Sequence, residues 1–305
     1  MAPAPRTIEG AGATTPSLSL RVTTLAIGIA AGLFAPAAGG SAMNLADLPQ
    51  NPTARIEIFS FPPAVGTLTV PAGNAGRRLP AVVLVPDVLG SDPRSEPYAE
   101  QLSGAGIAVL ELHSEENVST VLALAAEMLA EDPRIDGSRI GVLSFGAGGV
   151  TALAAQTPFA AWAFLYPGCA QLQRHQGHSA AWVGIPVLLA YGGNDPANPR
   201  AACTETAETL ERAGAIVRRL EYAHAGYAWD YPSFQWGGRS LLFAPGGRER
   251  IVAQPWPELT VLSAAQAAGF FGRILDTFGH PRAHREGIGA YRVPGEQRVR
   301  ARHPN

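Results

Sequence analysis

The chain has 305 residues, 47% of them apolar and 16% charged, with a formal charge of −2. That length and apolar content suffice for one sizeable α/β domain with short flanks. The near-neutral balance gives no electrostatic reason to expect a nucleic acid as partner, and no repeat of solenoid or propeller period is present.

Residues 1–42 read as an export signal. Arg21 precedes the apolar run Val22 to Phe34, and Gly40-Ser41-Ala42 offers small residues for cleavage. A long leading segment carrying Glu9 argues the other way. The run falls short of the ~20 residues a span needs and Pro36 interrupts it. A cleaved leader is therefore expected rather than an anchor, leaving a periplasmic or secreted mature form without a stable membrane span. No cysteine lies near the cleavage region to carry a lipid.

Residues 43–54 form a linker to a domain over 55–279. Arg55 to Ser60 and Thr67 to Val70 are expected as an antiparallel lead-in, and the unbroken apolar run Ala81 to Val85 as a fully buried strand. A helix follows near Ser95, with Pro97 in its first turn and Gly104 beyond its end. Ile107 to Leu112 is the next strand, and the spacing of Val121, Leu122, Ala125, Met128 and Leu129 predicts a helix from Val118. Ile140, Val142 and Leu143 mark a buried strand running through a glycine turn into a helix over Val150 to Ala155. Strands over Ala161 to Tyr166 and Ile185 to Tyr191 precede a helix over Arg200 to Ala213. Ile216 to Tyr222 is the last strand, and Ser263 to Phe278 an amphipathic closing helix. Alternating strands and helices imply an α/β fold with a mostly parallel central sheet and helices on both faces. Residues 280–305, rich in Arg, His and Gly, read as a disordered basic tail.

Cys169 and Cys203 are the only cysteines. In an oxidising compartment two thiols usually pair, and both fall just after successive strands, so they should meet at one sheet edge. A bridge closing a loop of roughly 35 residues would stabilise by about 3–4 kcal/mol. Two buried free thiols are the alternative.

The stretch Arg139-Ile-Gly-Val-Leu-Ser-Phe-Gly-Ala-Gly-Gly149 has the pattern of a nucleophile elbow, the strand–turn–helix that holds a Ser or Cys in strained backbone above the sheet. Ser144 and Gly148 occupy its small positions. The apex is Gly146, which tolerates the strained dihedrals and has no side chain to attack with.

From Leu79 to about Phe278 the chain resembles the dienelactone hydrolase family of the α/β-hydrolase superfamily. Four stretches carry the likeness. VPDVLGSDPRSEPYAEQLSGAGIAVLEL is similar to the family's oxyanion-loop strand and first helix, and RIGVLSFGAGG to its elbow. PVLLAYGGNDPANP is similar to the strand ending in the catalytic acid, and EYAHAGYAWDYP to the loop carrying the catalytic histidine. The resemblance implies an α/β-hydrolase fold with triad positions Gly146, Asp195 and Tyr227. It also implies oxyanion donors at the backbone N–H groups of Val88 and Ala147, with Asp87 where relatives have an acid near the nucleophile. Tyr-Pro-Gly-Cys at Tyr166 to Cys169 resembles exported members with a disulfide there.

Only Asp195 has the expected triad chemistry. A phenol with a pKa near 10 is a poor base, and Gly146 offers nothing to deprotonate. Ser144 and His224 lie two and three residues before the vacated positions and could form a rebuilt set with Asp195. Against this, Ser144 as apex would put Val142 where a small residue is needed. The blander readings are a small strand-end residue for Ser144, an exposed loop histidine for His224, a turn cap for Asp195 and an ordinary loop aspartate for Asp87. His113 is read as a loop residue beside the ligand-binding edge. His175 and His178 give H-x-x-H on a polar loop, a weak zinc signal. Gly146, Gly148 and Gly149 do not make a dinucleotide site, because the third glycine would fall on Thr151 and no acid follows ~20 residues on. No metal or cofactor is expected.

Two functions follow. The first is an exported, non-catalytic member that binds a small ester, lactone or carboxylate. The second is an active ester or lactone hydrolase using Ser144, His224 and Asp195. The oligomeric state is not readable.

Overall fold

Apolar strands that run without interruption need cover on both faces, and the central sheet has it. The eight strands are β1 (Ala54–Phe61), β2 (Ala64–Pro71), β3 (Leu79–Val85), β4 (Ala108–His113), β5 (Ile135–Phe145), β6 (Ala161–Leu165), β7 (Pro186–Gly192) and β8 (Ile216–Tyr222). They lie in the order β1-β2-β4-β3-β5-β6-β7-β8. β2 is antiparallel to both β1 and β4, and β4 through β8 are parallel. This computed structural model describes residues 54–61, 64–72, 76–87, 93–113, 117–176, 182–232, 240–247 and 249–278, all within the unit Asn51–Asn305. The expected leader, most of the linker and the basic tail lie outside the described residues, and no helix among them is long and apolar enough to cross a membrane.

The strand period sorts the core into two layers. Ala81, Val83, Val85, Ile140 and Val142 pack under α2 (Val118–Glu131), α3 (Gly148–Ala154), α4 (Cys169–Gln176) and α5 (Arg200–Arg212). Val82, Leu84, Leu143 and Phe145 face α1 (Glu96–Gly104) and α6 (Pro257–Phe278). At the C-terminal ends of the parallel strands, where open α/β sheets place their sites, the turn after β5 meets the loops after β3 and β8.

Four expectations about elements are corrected. The segment bearing His175 is helix α4 rather than a polar loop, with Leu172 and Cys169 as its buried side chains. Two apolar contacts in eight residues are too few for a periodic signal. β8 is not the last strand, because β9 (Leu241–Phe243) and β10 (Arg250–Val252) form a short antiparallel pair. Three-residue strands carry no usable alternation. α6 begins at Pro257, six residues before the expected start, with proline in the first turn where its missing N–H costs nothing. Gly104 is the last residue of α1, and the left-handed glycine beyond it is Gly106 (φ +79°).

Cys169 and Cys203 form a disulfide, 34 residues apart in sequence, that joins the first residue of α4 to α5. Oxidation is consistent with passage through an oxidising compartment.

Candidate functional site

β5 delivers the chain to the sheet's C-terminal edge, and the turn is closed by Gly146 N–H donating to Leu165 O (3.0 Å) and Gly149 N–H to Gly146 O (3.2 Å). Gly146 has φ +51°, the left-handed conformation of a strained elbow apex. A side chain at Gly148 would overlap the Pro86 carbonyl oxygen, so strand loop and α3 approach as closely as an elbow requires.

The space above the apex is filled by the protein itself. A β-carbon built on Gly146 would lie 2.7 Å from both Asp87 Cγ and Tyr227 Oη, and nearer still to Asp87 Oδ2. Asp87 is buried and held from three directions. Arg94, with no exposed surface, places Nη1 and Nη2 each 3.5 Å from Oδ2. Tyr227 donates to Oδ2 at 3.1 Å, and the Ala147 N–H donates to Oδ1 at 3.1 Å. Ala147 N–H is the expected oxyanion donor, and its partner is this internal carboxylate. The other expected donor, Val88, lies outside the described residues.

Tyr227 stands on the turn after β8, where Gln254 N–H donates to its carbonyl (3.0 Å). Its hydroxyl also comes within 3.5 Å of Phe243 O. Burial first, and the Asp87 charge second, push the phenol far above its ordinary pKa, so it stays protonated and donates. It cannot serve as a general base.

Asp195 is buried in the turn after β7. It accepts from Ala197 N–H (2.8 Å) and Asn198 Nδ2 (2.8 Å). Asn198 Oδ1 in turn accepts from Gly168 N–H (2.8 Å) and Cys169 N–H (3.1 Å), linking the acid to the disulfide-bonded start of α4. Burial raises the Asp195 carboxyl to about 6, partly opposed by the hydrogen bonds from Asn198 and Ala197. Its charge bears on Tyr227, but no hydrogen bond joins them.

The proposed substitutes are not brought together. Ser144 shares strand parity with Val142 and lies under α3, buried, its Oγ donating to Ala163 O at 3.4 Å. His224 is exposed in the turn after β8, where its carbonyl oxygen accepts from Asn194 Nδ2 (3.3 Å). Among the described residues no hydrogen bond connects Ser144, His224 and Asp195. His113 Nε2 lies 2.7 Å from Thr67 Oγ1 on the neighbouring strand. His175 Nδ1 meets Gln171 O (2.9 Å) within α4, His178 lies outside the described residues, and no metal-binding cluster is present among the described residues.

A second buried acid extends the network. Asp230 accepts from Tyr166 Oη (2.6 Å) and Tyr98 Oη (2.9 Å), and Tyr98 Oη lies 2.8 Å from Ser263 Oγ, which accepts from Trp229 Nε1 (3.0 Å). Burial, then the Asp230 charge, raises both phenols well above their ordinary values. Tyr166 stacks edge-on against Tyr227 and Trp229, with centroids 5.2 and 4.8 Å apart, and Arg94 lies 5.5 Å over the Tyr231 ring. Sequence reasoning missed Arg94, Tyr98, Tyr166 and Asp230. The visible signal was Asp230 after Trp229 in an apolar turn, a charge with no nearby cation in sequence.

The elbow geometry, the parallel sheet and the loop order agree with a profile match over residues 81–235, just over half of the chain, to the dienelactone hydrolase family. The chain belongs to the dienelactone hydrolase family. No curated protein matches it. Similar solved structures include an esterase from the archaeon Pyrobaculum calidifontis, 16% identical over 72% of this chain and 85% of that one, with a TM-score of 0.54. An α/β-hydrolase enzyme from a Medee basin deep-sea metagenome library is 16% identical over 73% and 99%, TM-score 0.56. A dienelactone hydrolase-like promiscuous phosphotriesterase from metagenomic libraries is 19% identical over 73% and 98%, TM-score 0.51. At these identities the likeness bears on fold, and function rests on the site.

Proposed function

We propose that this chain is an exported, non-catalytic member of the dienelactone hydrolase family whose former reaction centre has become a buried polar network. The observation that carries the reading is the apex. Gly146 has no nucleophile, the space beyond it holds Asp87 and Tyr227, and the Ala147 N–H is already hydrogen-bonded to Asp87. Acyl transfer needs an attacking atom, a base and a free donor for the developing oxyanion. At this centre the nucleophile position is bare, the base position holds a phenol, and the Ala147 donor is taken by Asp87.

Export is supported by the leader-like residues 1–42 and by the Cys169–Cys203 disulfide.

The test is an assay of purified protein on short p-nitrophenyl esters and on small lactones. No turnover above the uncatalysed rate is expected. Turnover that disappears in Ser144→Ala would instead establish a rebuilt hydrolase using Ser144, His224 and Asp195.

A further inference from the structure

Away from the apex, the first strand of the sheet leaves one face uncovered. β1 is an edge strand. Phe59 packs toward the α2–α5 layer and Glu57 pairs with Arg134, whereas Ile56 and Ile58 on the opposite face are 70% and 82% exposed. Between that face and α1 runs a groove of about 960 Å³, lined by Ile56, Pro93 and Ala99 together with Glu96, Glu100 and Glu111. No arginine or histidine lines it among the described residues. Glu111 accepts from Ser95 Oγ, but none of the three acids forms an ion pair among the described residues. The volume is at the upper end of the ~300–1,000 Å³ usual for ligand sites, room for more than one side chain.

Three carboxylates beside apolar side chains suit a cation on an aliphatic stem, which lays its methylenes on the apolar surface and its charge against the acids. We propose that this groove docks the segment following α6, residues 279–305. That segment carries Arg282, Arg285, Arg292, Arg298, Arg300 and Arg302 against only Glu286 and Glu296. α6, which the segment follows, packs beside α1, the helix that lines the groove. Its 27 residues can extend ~90 Å at ~3.3 Å each. The segment leading into β1 lacks the chemistry, because residues 43–53 contain Asp47 and no arginine. The docking shares no residue with the reading of Gly146 and stands or falls separately.

The experiment is timed trypsin cleavage of the full chain, with mass spectrometry following cuts at these six arginines. At ~10 mM salt, where the Debye length is ~30 Å, the sites should be protected, and at ~1 M, where it is ~3 Å, protection should vanish. Glu96→Gln with Glu100→Gln should speed low-salt cleavage roughly fivefold, the change expected for two partly exposed charge pairs. Glu205→Gln with Glu208→Gln, on exposed positions of α5, should leave the rate unchanged. Circular dichroism checks that each variant is folded. Equal rates in wild type and the groove variant, or equal acceleration by the α5 pair, would overturn the proposal. Protection that grows with protein concentration would also overturn it, because the occupant would then come from a second copy.

Discussion

Adding a methyl group at Gly146 has a cost that follows from the geometry. In Gly146→Ala the new carbon would sit 2.7 Å from Asp87 Cγ and Tyr227 Oη. Neither neighbour yields easily, because Asp87 is tied to Arg94 and the Ala147 N–H and Tyr227 is tied to Asp87. A left-handed non-glycine residue costs about 1–2 kcal/mol, and overpacking a core costs about 1–3 kcal/mol. The sum, roughly 2–5 kcal/mol, is a large share of the ~5–15 kcal/mol that folding leaves. At ~2–4 °C per kcal/mol for a domain of this size, Tm should fall by roughly 4–20 °C, read by circular dichroism with the disulfide intact. Tyr227→Phe removes one of the crowding atoms, so the double variant should be less destabilised than the sum of the two by about 1 kcal/mol. A Gly146→Ala protein that melts within about 1 °C of wild type would refute the reasoning, since the space above the apex would then be open.

Other outcomes follow from the same structure. Gly146→Ser with Tyr227→His should gain ester turnover only when Asp87→Ala is added, because that third change vacates the apex and frees the Ala147 N–H; turnover of p-nitrophenyl acetate by the three combinations checks this. Reducing Cys169–Cys203 should lower stability in urea by about 3–4 kcal/mol, the chain-entropy value for a loop of this length. Asp195 has a folded pKa of about 6 against an ordinary 3.8, raised by burial. Folding therefore favours its protonated form, and the contribution is complete below pH ~4 and lost as pH rises through ~6. The shift corresponds to roughly 3 kcal/mol. Urea unfolding of wild type and Asp195→Asn from pH 4 to 7 should show wild type losing ground to the variant over that window. A difference that does not vary with pH would contradict the assignment.

Much of the fold could be read from residue order because its signals are local. The run Ala81 to Val85 has no polar break, and both faces of β3 are buried. The elbow could be placed from Gly146, which takes the left-handed apex conformation, and Gly148, where the Pro86 backbone leaves no room for a side chain. Elements with few apolar contacts were not legible. α4 buries too little to show a helical period, and β9 and β10 are three residues each. The network around the apex was hidden for a different reason. Tyr98 and Asp230 meet across 132 residues, Tyr227 and Asp87 across 140, and no spacing rule joins side chains so far apart. The orientation of Ser144 was readable in principle, since it shares parity with Ile140 and Val142 under the helices.

Exposure of the purified full chain to a fluorophosphonate, followed by intact mass, asks whether any hydroxyl in this protein is an activated nucleophile. A site whose apex is Gly146, with Tyr227 and Asp87 hydrogen-bonded above it, predicts an unchanged mass. A single phosphonyl adduct, lost on unfolding before labelling and mapped to Ser144 or any other serine, would contradict it.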